Sequence, residues 1–214
     1  MTLVIFSSSI LLVFAVSGCV SSKKYQTLES QYASMEDRNA ALEQEVAKAR
    51  ADNAKLARQK AEQERIMEDI IKSLKAEVAA KSVEIKMLQN KLVVSIKDRL
   101  FFASGSAEVN RDGQDILKRL APILKKASNQ EIRVLGHTDS VPIGKALSEK
   151  FRSNWELSTA RATSIIQMLQ WGYGIGPERL VAQGVAHHRP LIEETEETRA
   201  TNRVVEIILT PMRD

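Results

Sequence analysis

Residues 131–139 read EIRVLGHTD, a run of β-branched and other apolar side chains that ends abruptly in small and polar ones. This pattern predicts a strand from Glu131 to Leu135 that leads directly into Gly136–Asp139. Residues 140–153 then read as a loop. Residues 154–171, NWELSTARATSIIQMLQW, carry apolar side chains at helical spacing and predict an amphipathic helix. We therefore expect the rest of the fold to pack around this strand and helix.

The flanking sequence predicts further strands and one more helix. Asn110 or Asp112 could cap that helix, and Pro122 is expected to end or bend it. Additional strands are expected at residues 92–102, 180–183 and 204–210. Together these elements predict an α/β (α+β) two-layer sandwich with a mixed four-stranded sheet in residues 93–214.

Residues 23–92 predict a long coiled-coil helix, because Lys23–Leu100 contains neither Gly nor Pro. The helix could end anywhere from about residue 82 to residue 93, and a four-residue stutter is expected after Ile70. Polar Asn at position a favours a parallel homodimer of defined register. The heptad places at position a Tyr25, Tyr32, Asn39, Val46, Asn53, Lys60 and Met67, and at position d Leu28, Met35, Leu42, Ala49, Leu56, Gln63 and Ile70.

Residues 1–18 carry no charge, are largely apolar and stop short of the roughly 20 residues that a membrane-spanning helix needs. They are typical of a signal peptide, although no basic residue precedes the apolar run. The segment that ends in Ser17–Gly18–Cys19 resembles a bacterial lipobox. This resemblance implies cleavage before Cys19, acylation of Cys19 with diacylglycerol and palmitate, and a lipidated N-terminus at residues 19–22. An uncleaved N-terminal membrane anchor is the alternative.

Four motifs of the C-terminal half resemble the OmpA-like peptidoglycan-binding family. They are Gly136–His137–Thr138–Asp139, the run NWELSTARA at 154–162, Gly184 with Pro190, and Asn202–Arg203–Val204. The resemblance covers residues from about 95 to 212 and is strongest to MotB-type stator proteins. Val204 replaces the second Arg of the common Asn-Arg-Arg run, and His187 stands where an acidic residue is frequent.

The resemblance implies noncovalent binding of the diaminopimelate residue in the peptidoglycan stem peptide. The side chain of that residue ends in an ammonium and a carboxylate on one carbon, so its receptor needs an anion and a planar cation. Asp139 would accept the ammonium and Arg161 would bind the carboxylate through two parallel N–H bonds. By the same resemblance the pocket would also contain Asn154, Leu157, Thr138 and Arg203. Without it, Asp139 could cap a turn, Arg161 could pair with a surface carboxylate, and Leu157 could be a core residue.

Other chemistry has little support in the sequence. The charges are balanced, since residues 23–98 contain 15 basic and 13 acidic side chains, which argues against nucleic-acid binding. His137 and Asp139 could share a face, but no Cys pair or His-x-x-x-His completes a metal site. No cofactor is expected. No nucleophile elbow or phosphate loop is present, so an enzyme is not expected either.

The sequence therefore predicts a noncatalytic lipoprotein of the bacterial outer membrane that faces the periplasm and tethers the membrane to peptidoglycan. The alternative is a MotB-like motor component anchored by an uncleaved N-terminal helix. Such proteins carry an acidic residue in their transmembrane helix, whereas residues 1–22 contain no Asp or Glu.

Overall fold

The computed structural model describes residues 21–144 and 148–212, and the chain divides into two compact units, Met1–Ala54 and Lys55–Asp214. The predicted signal peptide and Cys19 lie outside the described residues. Helix α1, Ser22–Ser73, contributes all the described residues of the first unit except Ser21 and continues into the second. Its side chains are exposed from Ser22 to Arg58. Within the described residues no helix is both long and apolar enough to cross a membrane.

The helix predicted for residues 23–92 is too long. Helix α1 ends at Ser73, a short helix α2 (Lys75–Ala79) follows, and residues Val83–Leu88 form strand β1. Strand β1 turns into strand β2 (Lys91–Lys97) through Gln89 and Asn90, whose φ angles of 48° and 62° suit a two-residue hairpin. The sequence pattern did not predict this turn because the turn contains no Gly.

The last turns of α1 belong to the core of the C-terminal unit. Ile66 and Ile70 are 3% and 1% exposed, and Leu74 just beyond the helix is fully buried. The side-chain amide of Gln63 donates a 2.6 Å hydrogen bond to the Asn90 carbonyl in the β1–β2 turn. The assignment of Gln63 and Ile70 to a coiled-coil seam is therefore wrong, and so is the stutter beyond Ile70.

The sheet has five strands in the order β1-β2-β5-β3-β4. Strands β3 and β4 are parallel and every other neighbouring pair is antiparallel. The predicted mixed two-layer α/β architecture is confirmed, and the predicted strand count of four is one too low because β1 was read as helix. The strand predicted at 92–102 ends at Lys97, where a 3₁₀ turn takes over. The remaining strands are β3 (Gln130–His137), β4 (Leu180–Ala186) and β5 (Val204–Pro211).

Helix α3, Arg111–Lys126, is capped by Asn110, whose side chain accepts a 2.8 Å hydrogen bond from the Gly113 N–H. Pro122 lies inside this helix, which continues to Lys126, so of the two expected effects the proline does not have the first, ending the helix. Leu120 and Leu124 on either side are buried. Their packing outweighs the one hydrogen bond that a proline removes.

Helix α4, Asn154–Gln167, is continued by a π-helical turn at Met168–Gly172, and a short helix α5 spans Arg199–Asn202. Helix α4 packs unusually close to the parallel strands. A Cβ on Gly136 would lie 2.3 Å from the Ser158 carbonyl oxygen, and one on Gly184 would lie 2.4 Å from the Thr159 nitrogen. Both positions therefore require glycine, and this contact brings α4 against the end of β3.

Candidate functional site

Thr138 and Asp139 directly follow the C-terminal end of strand β3, against which α4 packs. The Thr138 N–H donates to the Ala186 carbonyl at 3.0 Å, which continues the pairing with β4. Asp139 is 7% exposed, and both of its carboxylate oxygens accept hydrogen bonds. Oδ1 accepts from the Val141 N–H at 3.2 Å, and Oδ2 accepts from Arg203 Nη1 at 3.0 Å.

Asn154 shapes the loop that carries Asp139. Its side-chain amide donates to the Asp139 carbonyl at 3.3 Å and to the Val141 carbonyl at 2.9 Å. Ser153 caps helix α4 just before it, accepting a hydrogen bond from the Glu156 N–H. Asn154 therefore holds the Asp139 loop to the first turn of α4 and acts on the site from outside the pocket.

Arg161 is held rigidly at the second turn of α4. Its Nε donates to the Ser106 carbonyl and its Nη1 to Asp98 Oδ2, each at 3.0 Å. The guanidinium also lies 5.1 Å from the centroid of the Phe102 ring, a cation–π contact. Nη2 has no hydrogen-bond partner among residues 21–144 and 148–212.

Burial makes the Arg161–Asp98 ion pair electrostatically costly. The Arg161 side chain is 8% exposed and the Asp98 side chain 14%. Burial raises the pKa of the Asp98 carboxyl, a shift that the charges of Arg161 and Arg203 oppose. Burial likewise lowers the pKa of Arg161, and Asp98 is the main group that opposes it. A buried pair of this kind adds little to stability when intact, and losing either partner is costly. Perturbed groups beside a cleft are frequent at functional sites.

We call the cleft beside these groups the Arg161 pocket, which has a volume of about 250 Å³. The side-chain hydroxyl of Thr138 is buried at this cleft and has no hydrogen-bond partner in the described parts of the chain. A ligand with hydrogen-bonding groups could satisfy it. The pocket is lined by Asp98, Arg99, Phe102, Ala103, Ser104, Gly105, Thr138, Leu157, Arg161 and Arg203.

The pocket brings together four of the six residues predicted for it, Thr138, Leu157, Arg161 and Arg203. Asp139 is bonded to one of them, Arg203, and Asn154 does not line the pocket. Sequence reasoning missed Asp98, because it lay inside a strand predicted to run to residue 102. The signal was present, since Asp98 ends an apolar strand just as Asp139 follows one.

The histidines have other partners. Nδ1 of His137 faces the Arg189 carbonyl at 3.1 Å and Nε2 faces Glu206 Oε2 at 3.2 Å. His187 and His188 follow β4 instead of lying on a strand, and their ring centroids are 4.2 Å apart. His188 also stacks on Trp155. Among the described residues no group of three or more His, Cys, Asp or Glu side chains could hold a metal ion.

Comparison with known proteins supports this picture of the C-terminal domain. Residues 101–203 match the OmpA family. The chain is 30% identical over 151 residues to "Motility protein B" of Bacillus subtilis (strain 168), covering 70% of this chain and 57% of that protein. It is 29% identical over 140 residues to "Probable lipoprotein YiaD" of Escherichia coli (strain K12), covering 65% and 60%. The chain thus spans less than two thirds of these relatives.

One solved structure is similar to this chain over nearly the whole length of that structure. The cell wall anchor of the T6SS from Pseudomonas aeruginosa is 31% identical to this chain and superposes with a TM-score of 0.59. The match covers 97% of that structure and 67% of this chain. The chain therefore belongs to the OmpA family, whose members are structural proteins rather than enzymes.

Proposed function

We propose that the C-terminal unit binds peptidoglycan noncovalently by gripping the zwitterionic end of diaminopimelate in the stem peptide. Asp139 accepts hydrogen bonds from the ammonium, and Arg161 donates hydrogen bonds to the carboxylate. The observation that carries the proposal is that buried Arg161 lines one small pocket, while buried Asp139, just beyond β3, bonds Arg203, which lines the same pocket. The relative from P. aeruginosa, named as a cell wall anchor, supports the same conclusion.

The contacts of Arg161 determine how the carboxylate would bind. Nε and Nη1 are already held by Ser106 and Asp98. These contacts use two of the five N–H groups of the guanidinium and leave one on Nη1 and two on Nη2. The ligand carboxylate therefore meets Nη2, and the second N–H of Nη1 can supply the other of the two parallel bonds expected from the sequence. A guanidinium that is already oriented loses little side-chain entropy on binding, which favours affinity.

Replacing Asp139 with alanine should abolish cosedimentation of the Lys55–Asp214 unit with purified peptidoglycan sacculi. The ammonium would lose its only carboxylate partner in the proposed geometry, a loss on the order of 100-fold in affinity. The fragment must begin at Lys55 because β1 and the end of α1 belong to its core. Asp115→Ala, at an exposed position of α3, is the matched control. Undiminished binding by the Asp139 variant would contradict the assignment.

We also propose that acylated Cys19 anchors the chain in the outer membrane, with the remaining residues in the periplasm, where it tethers that membrane to the cell wall. The relative named as a lipoprotein supports this anchor. A MotB-like motor component held by an uncleaved N-terminal segment is the second candidate. It is favoured by the similarity to Motility protein B. That similarity extends over 151 residues and is therefore longer than the match of residues 101–203 to the OmpA family.

Replacing Cys19 with alanine distinguishes the two anchors. If the lipid is the anchor, the variant should lose acylation and move from the membrane fraction to the soluble periplasmic fraction. Metabolic labelling with a palmitate analogue and fractionation of the cells measure both changes. The uncleaved anchor would be favoured if the Cys19→Ala variant stayed in the membrane fraction and the wild-type chain was not labelled by the palmitate analogue.

Helix α1 supports a parallel homodimer through its exposed apolar stripe. Tyr25, Tyr32 and Met35 are each at least 64% exposed, and Leu28, Leu42, Val46 and Leu56 continue the same seam. Such a stripe is covered when two helices pair. The seam can reach only to about Lys60, because Gln63 and Ile70 face the sheet. Two tethered domains would add avidity to a weak single contact.

A cysteine at position 39 tests the dimer. In a Cys19→Ala background, Asn39→Cys should form a disulfide-linked dimer under mild oxidation, because equivalent a positions face each other in a parallel pair. Asp37→Cys, at an outer heptad position, should form far less. Equal cross-linking at both positions, or none at position 39, would rule out the proposed register.

A further inference from the structure

The Arg203 side chain bonds the Asp139 carboxylate, which is also the proposed partner of the ligand ammonium. Its Nη1 donates to Asp139 Oδ2 at 3.0 Å, and this is its only side-chain hydrogen bond in the parts of the chain that the structure describes. The Arg203 side chain is 44% exposed while that of Asp139 is 10% exposed. An arginine of the chain itself therefore occupies the position proposed for the ligand ammonium.

Arg203 and Arg161 differ in how firmly they are held. Arg161 has three contacts that fix its guanidinium, and its side chain is buried. Arg203 is fixed through its backbone, whose carbonyl accepts the Asp98 N–H at 3.0 Å, whereas its side chain has one ion pair and faces water. Water can solvate the Arg203 guanidinium once it leaves Asp139, so releasing Arg203 costs less free energy than releasing buried Arg161.

The charges around the pocket are paired in advance. Arg161 pairs with Asp98 and Arg203 pairs with Asp139, and the Arg203 charge also acts on both Asp98 and Arg161. A ligand that brings only an ammonium would add a third positive charge beside these two arginines. A zwitterion adds no net charge, and its carboxylate gives the displaced Arg203 guanidinium a new partner next to Arg161.

We propose that Arg203 determines the specificity of the site: it holds the ammonium position on Asp139 and yields it only to a ligand that also brings a carboxylate. This inference rests on the proposed function. Arg203 thus disfavours peptides with a simple amine, such as a lysine side chain, by competing with them for Asp139. Discrimination then comes from a competing internal contact as much as from new attractive contacts.

The test compares two soluble disaccharide tripeptides that are identical except at the third residue. One carries meso-diaminopimelate and the other L-lysine, whose side chain has the ammonium without the carboxylate. Isothermal titration with the full chain in detergent gives the ratio of the two dissociation constants. We expect the wild type to prefer the diaminopimelate peptide by tenfold or more, on the order of one good charge-assisted contact.

In Arg203→Gln, that preference should narrow to about threefold or less, chiefly because the lysine peptide binds more tightly. Arg203→Lys keeps the competing charge and should retain the wild-type preference. Arg133→Gln is the matched control, since the Arg133 side chain is 43% exposed and pairs with Glu131 but does not line the pocket, and it should leave the ratio unchanged. Thermal melting of each variant confirms that it is folded.

Two results would overturn the role of Arg203: an unchanged ratio in Arg203→Gln, or an equal narrowing in Arg133→Gln, which would indicate bulk charge alone. Both leave the proposed function intact as long as the wild type binds the diaminopimelate peptide and Asp139→Ala does not. If the wild type binds neither peptide, the proposed function fails and the specificity role fails with it.

Discussion

Replacing Arg161 with alanine should abolish binding to peptidoglycan sacculi and also lower the free energy of unfolding by about 3 kcal/mol. The binding loss follows from removing the one buried cation that, among the residues the structure describes, lines the Arg161 pocket. The stability loss follows because Asp98, 14% exposed, would be left without its ion-pair partner. Cosedimentation and urea unfolding of the Lys55–Asp214 unit measure the two effects separately.

A second variant separates binding from folding. Combining Arg161→Met with Asp98→Asn removes both charges and leaves neither group buried and unpaired as an ion. We expect it to recover much of the stability while binding stays abolished, because uncharged replacements of a buried pair are often tolerated. Retained sacculus binding in either variant would contradict the role of Arg161, whatever the stability.

Replacing Arg179 with methionine should lower the free energy of unfolding by about 3 kcal/mol without any direct effect on the binding pocket. The Arg179 side chain donates to three backbone carbonyls, of Gln130, Leu124 and Ala127, at 2.6–2.9 Å. All three residues are at most 1% exposed, so water could not replace the lost donor. Urea unfolding measures the change.

Arg119 is the matched control for Arg179. It also bonds a backbone carbonyl, that of Ser73, and it pairs with Glu77, but its side chain is 40% exposed. Arg119→Met should therefore lower the free energy of unfolding by less than about 1 kcal/mol. If the two variants were equally destabilised, burial of the three carbonyls would not explain the Arg179 effect.

Local patterns were enough to predict most of the sheet and its helices. The strand after Asn129, the amphipathic helix after Ser153 and the cap at Asn110 depend on neighbouring side chains and their periodicity. Strand β1 could not be predicted in this way. Its Ile85 and Leu88 also fit the heptad expected beyond the stutter, and only pairing with β2 stabilises the extended form.

The sequence alone also pointed to the candidate site, because the residues Thr138–Asp139 and Asn154–Arg161 form recognisable motifs. It did not reveal Asp98, which meets Arg161 from 63 positions away in the sequence. Nor did it indicate that Arg203 occupies Asp139, 64 positions away. Contacts of this kind produce no periodic pattern in the sequence, because they depend on how β2, β3, β5 and α4 pack.

What the sequence by itself determined is therefore the class of fold, the long exposed helix and the pair of charged residues proposed to bind the ligand. These features follow from local preference, periodicity and motif. Only the tertiary structure decided where the helix ends, that the sheet has a fifth strand and how the four charged side chains pair. The physical reason is that strand pairing and buried ion pairs draw their free energy from partners distant along the chain.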